Sequence, residues 1–170
     1  QGWVVAGYVG VPAPLPAVLS SAVKVPAIDR DVRILPGLAQ RQPGAPDVMR
    51  GEETQLLGAL ANGAEGGQLV CMPGTHSKWV TVSDGMVSGS STFMTGELFS
   101  LLSRQSVLRH SLDGAGSNAI EFARSIQLMM TEPASFAGQL FSIRAGNLVS
   151  GLEAGTAKAR LSGLLIGAEL

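Results

Sequence analysis

Charge is scarce in this chain. Charged residues make up 15% of its 170 positions, where roughly a quarter is usual for a soluble domain. The formal net charge is −1, so no basic footprint points to nucleic acid, and the acidic and basic residues are scattered with no charged tail. Cysteine is almost absent. The single Cys71 excludes an internal disulfide framework and a cysteine-based zinc site. It lies in the apolar run "GGQLVCM", where burial is expected, and a reducing, cytoplasmic setting is the simplest reading. The first 23 residues carry no charge. Pro12, Pro14 and Pro16 argue against a membrane span there, and no basic leading segment marks a signal peptide.

Apolar residues are plentiful, at 45% before the 22 glycines are added. A chain this short of charge either packs against something else, a second copy in a homodimer included, or is a piece of a longer protein. Gln1 at the start and Leu170 within a helical pattern suggest the second. The length suits one core of ordinary size.

Patterning along the chain predicts a mixed α/β fold. "WVVAGYVGVP" reads as a short buried strand, and "VKVPA" and "VRILPGL" as extended runs closed by Pro26 and Pro36. Residues 39–47, "AQRQPGAPD", read as a polar loop. A helix follows, with Glu52, Glu53 and Thr54 in its first turn, Leu56, Leu57 and Leu60 on its apolar face and Gly63 as its stop. "QLVCMPGTHSKWVTVSDGMVSGS" reads as strand, turn, strand, turn, strand, with the Asp84–Gly85 pair at a tight hairpin. Thr95 is a candidate cap for the helix over "GELFSLLSRQSVL". Asn118 and Glu121 have capping-box spacing ahead of a helix whose apolar face holds Ala119, Phe122, Ala123, Ile126 and Met130. Two more helices are expected over "PASFAGQLFSIRAGNLV" and "KARLSGLLIGAEL", the last with Leu161, Leu164, Leu165 and Ala168 in register.

Three stretches carry candidate chemistry. In "PGTHSKW", Gly74 lets the backbone approach a ligand, consecutive amides in a turn make an anion nest, and a Thr hydroxyl and a Lys ammonium add donors for phosphate oxygens. The same stretch also reads as an ordinary hairpin turn. In "RGEET", a carboxylate at a helix start can serve as general base, and Arg50 can clamp an anionic group. Plain helix capping explains the same residues. "TGEL" offers the hydroxyl of Thr95 and the carboxylate of Glu97, for a pocket or for capping. A Cys71–His76 nucleophile pair is disfavoured, because residues five apart on a strand point to opposite faces. No local histidine pair suggests a metal, so no residue is assigned to one.

The blocks "VMRGEETQLLGA", "MPGTHSKWV", "FMTGEL" and "LSGLLIGAEL", in this order, closely resemble the 2-dehydro-3-deoxygalactonokinase family. The resemblance runs from about Val25 to the C-terminus and is weaker before it. It implies membership of the sugar kinase, hexokinase, actin and Hsp70 superfamily, whose members hold a nucleotide between two ribonuclease-H-like α/β domains. The chain would then be incomplete. It would comprise the end of the first domain with a linking helix (residues 1–62) and the start of the second with a helical layer (63–170). The implied reaction is phosphorylation of the 6-hydroxyl of 2-dehydro-3-deoxy-D-galactonate by ATP with Mg²⁺, in galactonate breakdown.

By the same resemblance, Gly74, Thr75 and His76 look like contacts to ATP phosphates. Glu52 occupies the place of a catalytic aspartate found in related carbohydrate kinases, with Glu53 as the other candidate. On residue chemistry alone, and not by the resemblance, Arg50, Thr95 and Glu97 are candidates for the sugar acid. The family's first phosphate turn, an aspartate-x-glycine-serine-threonine segment, is not in this sequence, and the adenosine segment would follow Leu170. The 170 residues alone are therefore expected to be inactive. Two other readings stay open: a non-catalytic α/β interaction module, and a kinase for a different keto-deoxy sugar acid.

Overall fold

The structure is a computed structural model that describes residues 5–26, 29–60 and 66–170. These gather into two compact units. The first takes residues up to Pro73 together with Ser77–Thr92; the second takes Gly74–His76 and Phe93–Leu170. The expected domain boundary at residues 62–63, and Gly63 as a helix stop, lie outside the described residues.

The first unit is built on short strands. β1 (Tyr8–Gly10) runs parallel to β5 (Gly37–Gln40), which pairs antiparallel with β6 (Asp47–Met49). β2 (Ala13–Pro14), near the start of the chain, pairs with β9 (Met86–Phe93), and the sheet continues through β8 (Ser77–Ser83) to β7 (Gly67–Met72) at its edge. β3 (Val23–Lys24) and β4 (Arg33–Ile34) form a separate ribbon. Helix α1 (Pro16–Ser20) begins on its proline, where a missing N–H costs nothing. Helix α2 spans Glu52–Ala59. Leu15, Val18, Leu38, Met49, Leu56, Val80, Val82 and Val87 make the core, with Leu57 and Leu60 packed against it.

Two local expectations are corrected here. The loop placed at 39–47 is shorter, because β5 reaches Gln40 with Ala39 buried, and β6 already begins at Asp47. Cys71 is exposed. β7 is an edge strand with one wet face, so its side chains alternate and Cys71 falls on the outer one. The Asp84–Gly85 turn is as expected: both residues have positive φ, at 49° and 74°, which matches the strand twist on either side.

The second unit is helical. α3 (Thr95–Gln105), α4 (Arg109–Leu112), α5 (Ala119–Thr131), α6 (Phe136–Ser150) and α7 (Ala154–Gly167) surround a core of Leu108, Leu112, Met129, Ile143, Ala157, Leu161, Leu164 and Leu165. Asn118 caps α5 as its spacing predicts, accepting from the Glu121 amide at 3.0 Å. The buried face of α5 is offset from the expected one. Ser125 and Met129 are buried, while Ala119, Ala123 and Met130 are exposed. The cause is α7, which presents Gly163 to this face. A Cβ on Gly163 would lie 2.4 Å from the Phe122 carbonyl and 2.7 Å from the Ser125 Cβ, so the two helices cross closer than any side chain at that position permits. Ala168 at the end of α7 is exposed rather than part of the stripe.

Candidate functional site

In the first unit, β6 delivers the chain to Arg50, Gly51, Glu52 and Glu53. Gly51 stands at φ +110°, a backbone that favours glycine, and turns the strand into α2. Both carboxylates reach back. Glu52 Oε2 accepts from the Arg50 amide at 3.0 Å, and Glu53 Oε2 accepts from the Gly51 amide at 2.7 Å. These bonds satisfy donors just ahead of the helix and place negative charge at its positive end. The two acids then differ. Glu53 is buried, 2% exposed, and also accepts from the Thr54 hydroxyl at 3.3 Å. Glu52 is part-exposed. Arg50 is exposed, with its Nη2 donating to the carbonyls of Ala6 and Gly7 at 2.9 and 3.2 Å and its guanidinium stacked 4.5 Å from the Tyr8 ring centroid.

In the second unit, Gly74, Thr75 and His76 pack on the start of α3. Gly96 permits this: a Cβ there would lie 2.5 Å from the Gly74 carbonyl oxygen and 2.9 Å from the Thr75 Cα. The Glu97 amide donates to the Thr75 carbonyl at 2.9 Å, and the Glu97 carboxylate lies 2.5 Å from His76 Nε2. Gly74, Thr75 and His76 are all exposed. Thr95 is not the cap of α3; Met94 holds that position, and the Thr95 hydroxyl instead donates to the Glu169 carboxylate just past α7. The structure thus brings the turn together with Glu97, and Thr95 with Glu169. Within the first unit, Arg50, Glu52 and Glu53 are brought together at the start of α2.

Lys78 departs from the sequence reading. Its ammonium is not offered at the turn but buried, 6% exposed, donating to the Val48 carbonyl and the Thr92 hydroxyl, each at 2.7 Å. Strand alternation carried the signal, because Lys78 shares a face with the core residues Val80 and Val82. Asp47 was also missed. It accepts from the hydroxyls of Thr92 at 2.7 Å and Ser90 at 2.8 Å.

Among the described residues, no group of three or more His, Cys, Asp or Glu could hold a metal ion, and no helix is long and apolar enough to cross a membrane.

Comparison with known proteins places the chain. It is 51% identical over 173 residues to "Probable 2-dehydro-3-deoxygalactonokinase DgoK1" of Rhizobium meliloti (strain 1021), covering 100% of this chain and 56% of the relative. It is 39% identical over 174 residues to the 2-dehydro-3-deoxygalactonokinase of Escherichia coli (strain K12), covering 99% and 56%. A crystal structure from Sinorhizobium meliloti, provisionally assigned as a 2-dehydro-3-deoxygalactonokinase, superposes with a TM-score of 0.94 at 51% identity, over 99% of this chain and 57% of that one. The chain therefore spans about half the length of these relatives. The family model for 2-keto-3-deoxy-galactonokinase matches residues 1–170, and the chain belongs to that family.

Proposed function

We propose that the chain is part of a carbohydrate kinase that transfers the γ-phosphoryl group of ATP to the 6-hydroxyl of 2-dehydro-3-deoxy-D-galactonate. We propose further that its α/β framework is of the ribonuclease-H-like kind, divided near residues 62–63. Family membership over the whole chain supports the activity. The observation that carries the assignment of residues is the pair of glycine-dependent segments, Arg50–Glu53 and Gly74–His76, each held by its own bonds and each leaving polar groups exposed.

Phosphoryl transfer is mainly a matter of positioning and charge stabilisation. Glu52 is the acid available to a substrate hydroxyl; it accepts that proton's hydrogen bond and aligns the oxygen for attack. Glu53, enclosed and committed to Gly51 and Thr54, shapes the segment rather than touching substrate. Arg50, fixed by Tyr8 and two carbonyls, directs its remaining donors to the sugar acid's carboxylate. Gly74, Thr75 and His76 supply donors to the phosphate oxygens. Thr95 and Glu97 act through the bonds described above, Glu97 by holding the turn. Mg²⁺ travels on the ATP phosphates, as is usual for this ion, and no residue here is assigned to it.

The test is ADP release by the complete kinase with the galacto acid and with its gluco stereoisomer. A kcat/KM at least tenfold higher for the galacto acid supports the reading. Equal or reversed preference assigns a different keto-deoxy acid, and no ADP release with either rejects the kinase assignment.

A further inference from the structure

We propose that Lys78 is a positioning residue for the proposed reaction, acting through β6, the strand that leads into the Arg50–Glu53 segment. The inference rests on the reading of Glu52 as the acid that aligns the substrate hydroxyl.

A buried ammonium is costly unless its donors are satisfied. Here they are satisfied in a specific way. Lys78 on β8 donates to the Val48 carbonyl on β6 and to the Thr92 hydroxyl on β9. That hydroxyl in turn donates a hydrogen bond to Asp47 Oδ1 on β6, and Asp47 Oδ2 accepts from the Ser90 hydroxyl on β9. The Ser90 amide donates to Gln40 Oε1 on β5 at 2.9 Å. Lysine and aspartate are thus joined through a hydroxyl.

The network ties together the two larger sheets of the first unit. Asp47, Val48 and Gln40 belong to the β1–β5–β6 sheet, and Lys78, Ser90 and Thr92 to the sheet running from β2 to β7. An apolar contact could hold these sheets at the right spacing but would not fix register. Directional bonds to a backbone carbonyl do fix it. The carbonyl chosen is that of Val48, two residues before Arg50, whose amide in turn binds the Glu52 carboxylate. From Lys78 Nζ to the candidate acid there are thus two hydrogen bonds and a short length of chain.

A merely structural lysine makes a different prediction from a positioning one. Replacing a buried, satisfied charge by an apolar side chain of similar length is often tolerated by stability, so Lys78→Met separates the two roles. In the complete kinase, we expect Lys78→Met to fold and to lose at least tenfold in kcat, with KM for ATP within about threefold of the parent. In a Glu52→Gln background the same substitution should cost less than threefold more, because both changes disable one device. A folded Lys78→Met enzyme with kcat within twofold of the parent overturns the proposal. So does full additivity with Glu52→Gln, which leaves the role of Glu52 standing. If Lys78→Met does not fold, Thr92→Val takes its place, since it cuts the bridge to Asp47 at nearly constant shape, and the same limits apply. A Glu52→Gln enzyme with parental kcat rejects the underlying reading of the acid itself.

Discussion

Glu97 holds His76 from the first turn of α3, its carboxylate 2.5 Å from the imidazole Nε2, while its backbone amide grips the neighbouring Thr75 carbonyl at 2.9 Å. One residue thus fixes the candidate phosphate turn by side chain and by main chain. The main-chain bond survives any substitution of Glu97 except proline, so other changes remove the side-chain bond alone.

Glu97→Gln should therefore loosen the turn without abolishing it. The pair is roughly half exposed, 46% and 38% for the two side chains, and exposed pairs are worth at most about 1 kcal/mol. A rise of roughly two- to fivefold in KM for ATP is expected, as a fraction of that energy, with little change in melting temperature. Steady-state kinetics at varied ATP will show it. An unchanged KM would mean that the Glu97–His76 side-chain contact does not order the turn.

Gly96→Ala is expected to be severe. The new methyl would meet the Gly74 carbonyl oxygen at 2.5 Å, and backbone cannot move aside as a flexible side chain can. Overpacking of this kind costs about 1–3 kcal/mol, and here the strain is relieved by displacing the turn. Loss of ATP turnover by more than about tenfold, in a protein that keeps its far-UV circular dichroism, is the expected result. Parental turnover would show that the turn has no part in binding ATP.

At the α5–α7 crossing the expected damage is to stability. Gly163→Ala places a carbon 2.4 Å from the Phe122 carbonyl, so the helices must separate. A loss of about 1–3 kcal/mol in denaturant unfolding is expected, against a loss of about 1 kcal/mol for Asn118→Ala, which removes only the cap of α5. The reverse order of the two would mean that the close crossing is not what holds the pair together.

Much of this fold was legible from local pattern. The Asp84–Gly85 hairpin, the Asn118 cap and the helices over α2, α3, α5, α6 and α7 follow from turn chemistry and apolar spacing. What failed depended on partners distant in sequence. The α5 face is offset because Gly163, far along the chain, opens a slot for Ser125 and Met129. Cys71 is wet because it falls on the outer face of β7, and no run of apolar letters says which face of a strand is left uncovered.

The candidate site was half legible. "RGEET" and "PGTHSKW" drew attention through residue type, and only the family resemblance put Glu52 ahead of Glu53. Burial separates them, by enclosing Glu53. Lys78 drew attention as a phosphate donor because of its charge. Its position on the Val80–Val82 face, readable by counting in twos, already pointed inward.

The most direct measurement is ADP release from 2-dehydro-3-deoxy-D-galactonate by the complete kinase and by its Glu52→Gln form, with binding of both substrates followed separately. Loss of a positioned general base predicts kcat lower by about 10²- to 10⁴-fold with both substrates still bound. Parental turnover by a folded Glu52→Gln enzyme would contradict the account.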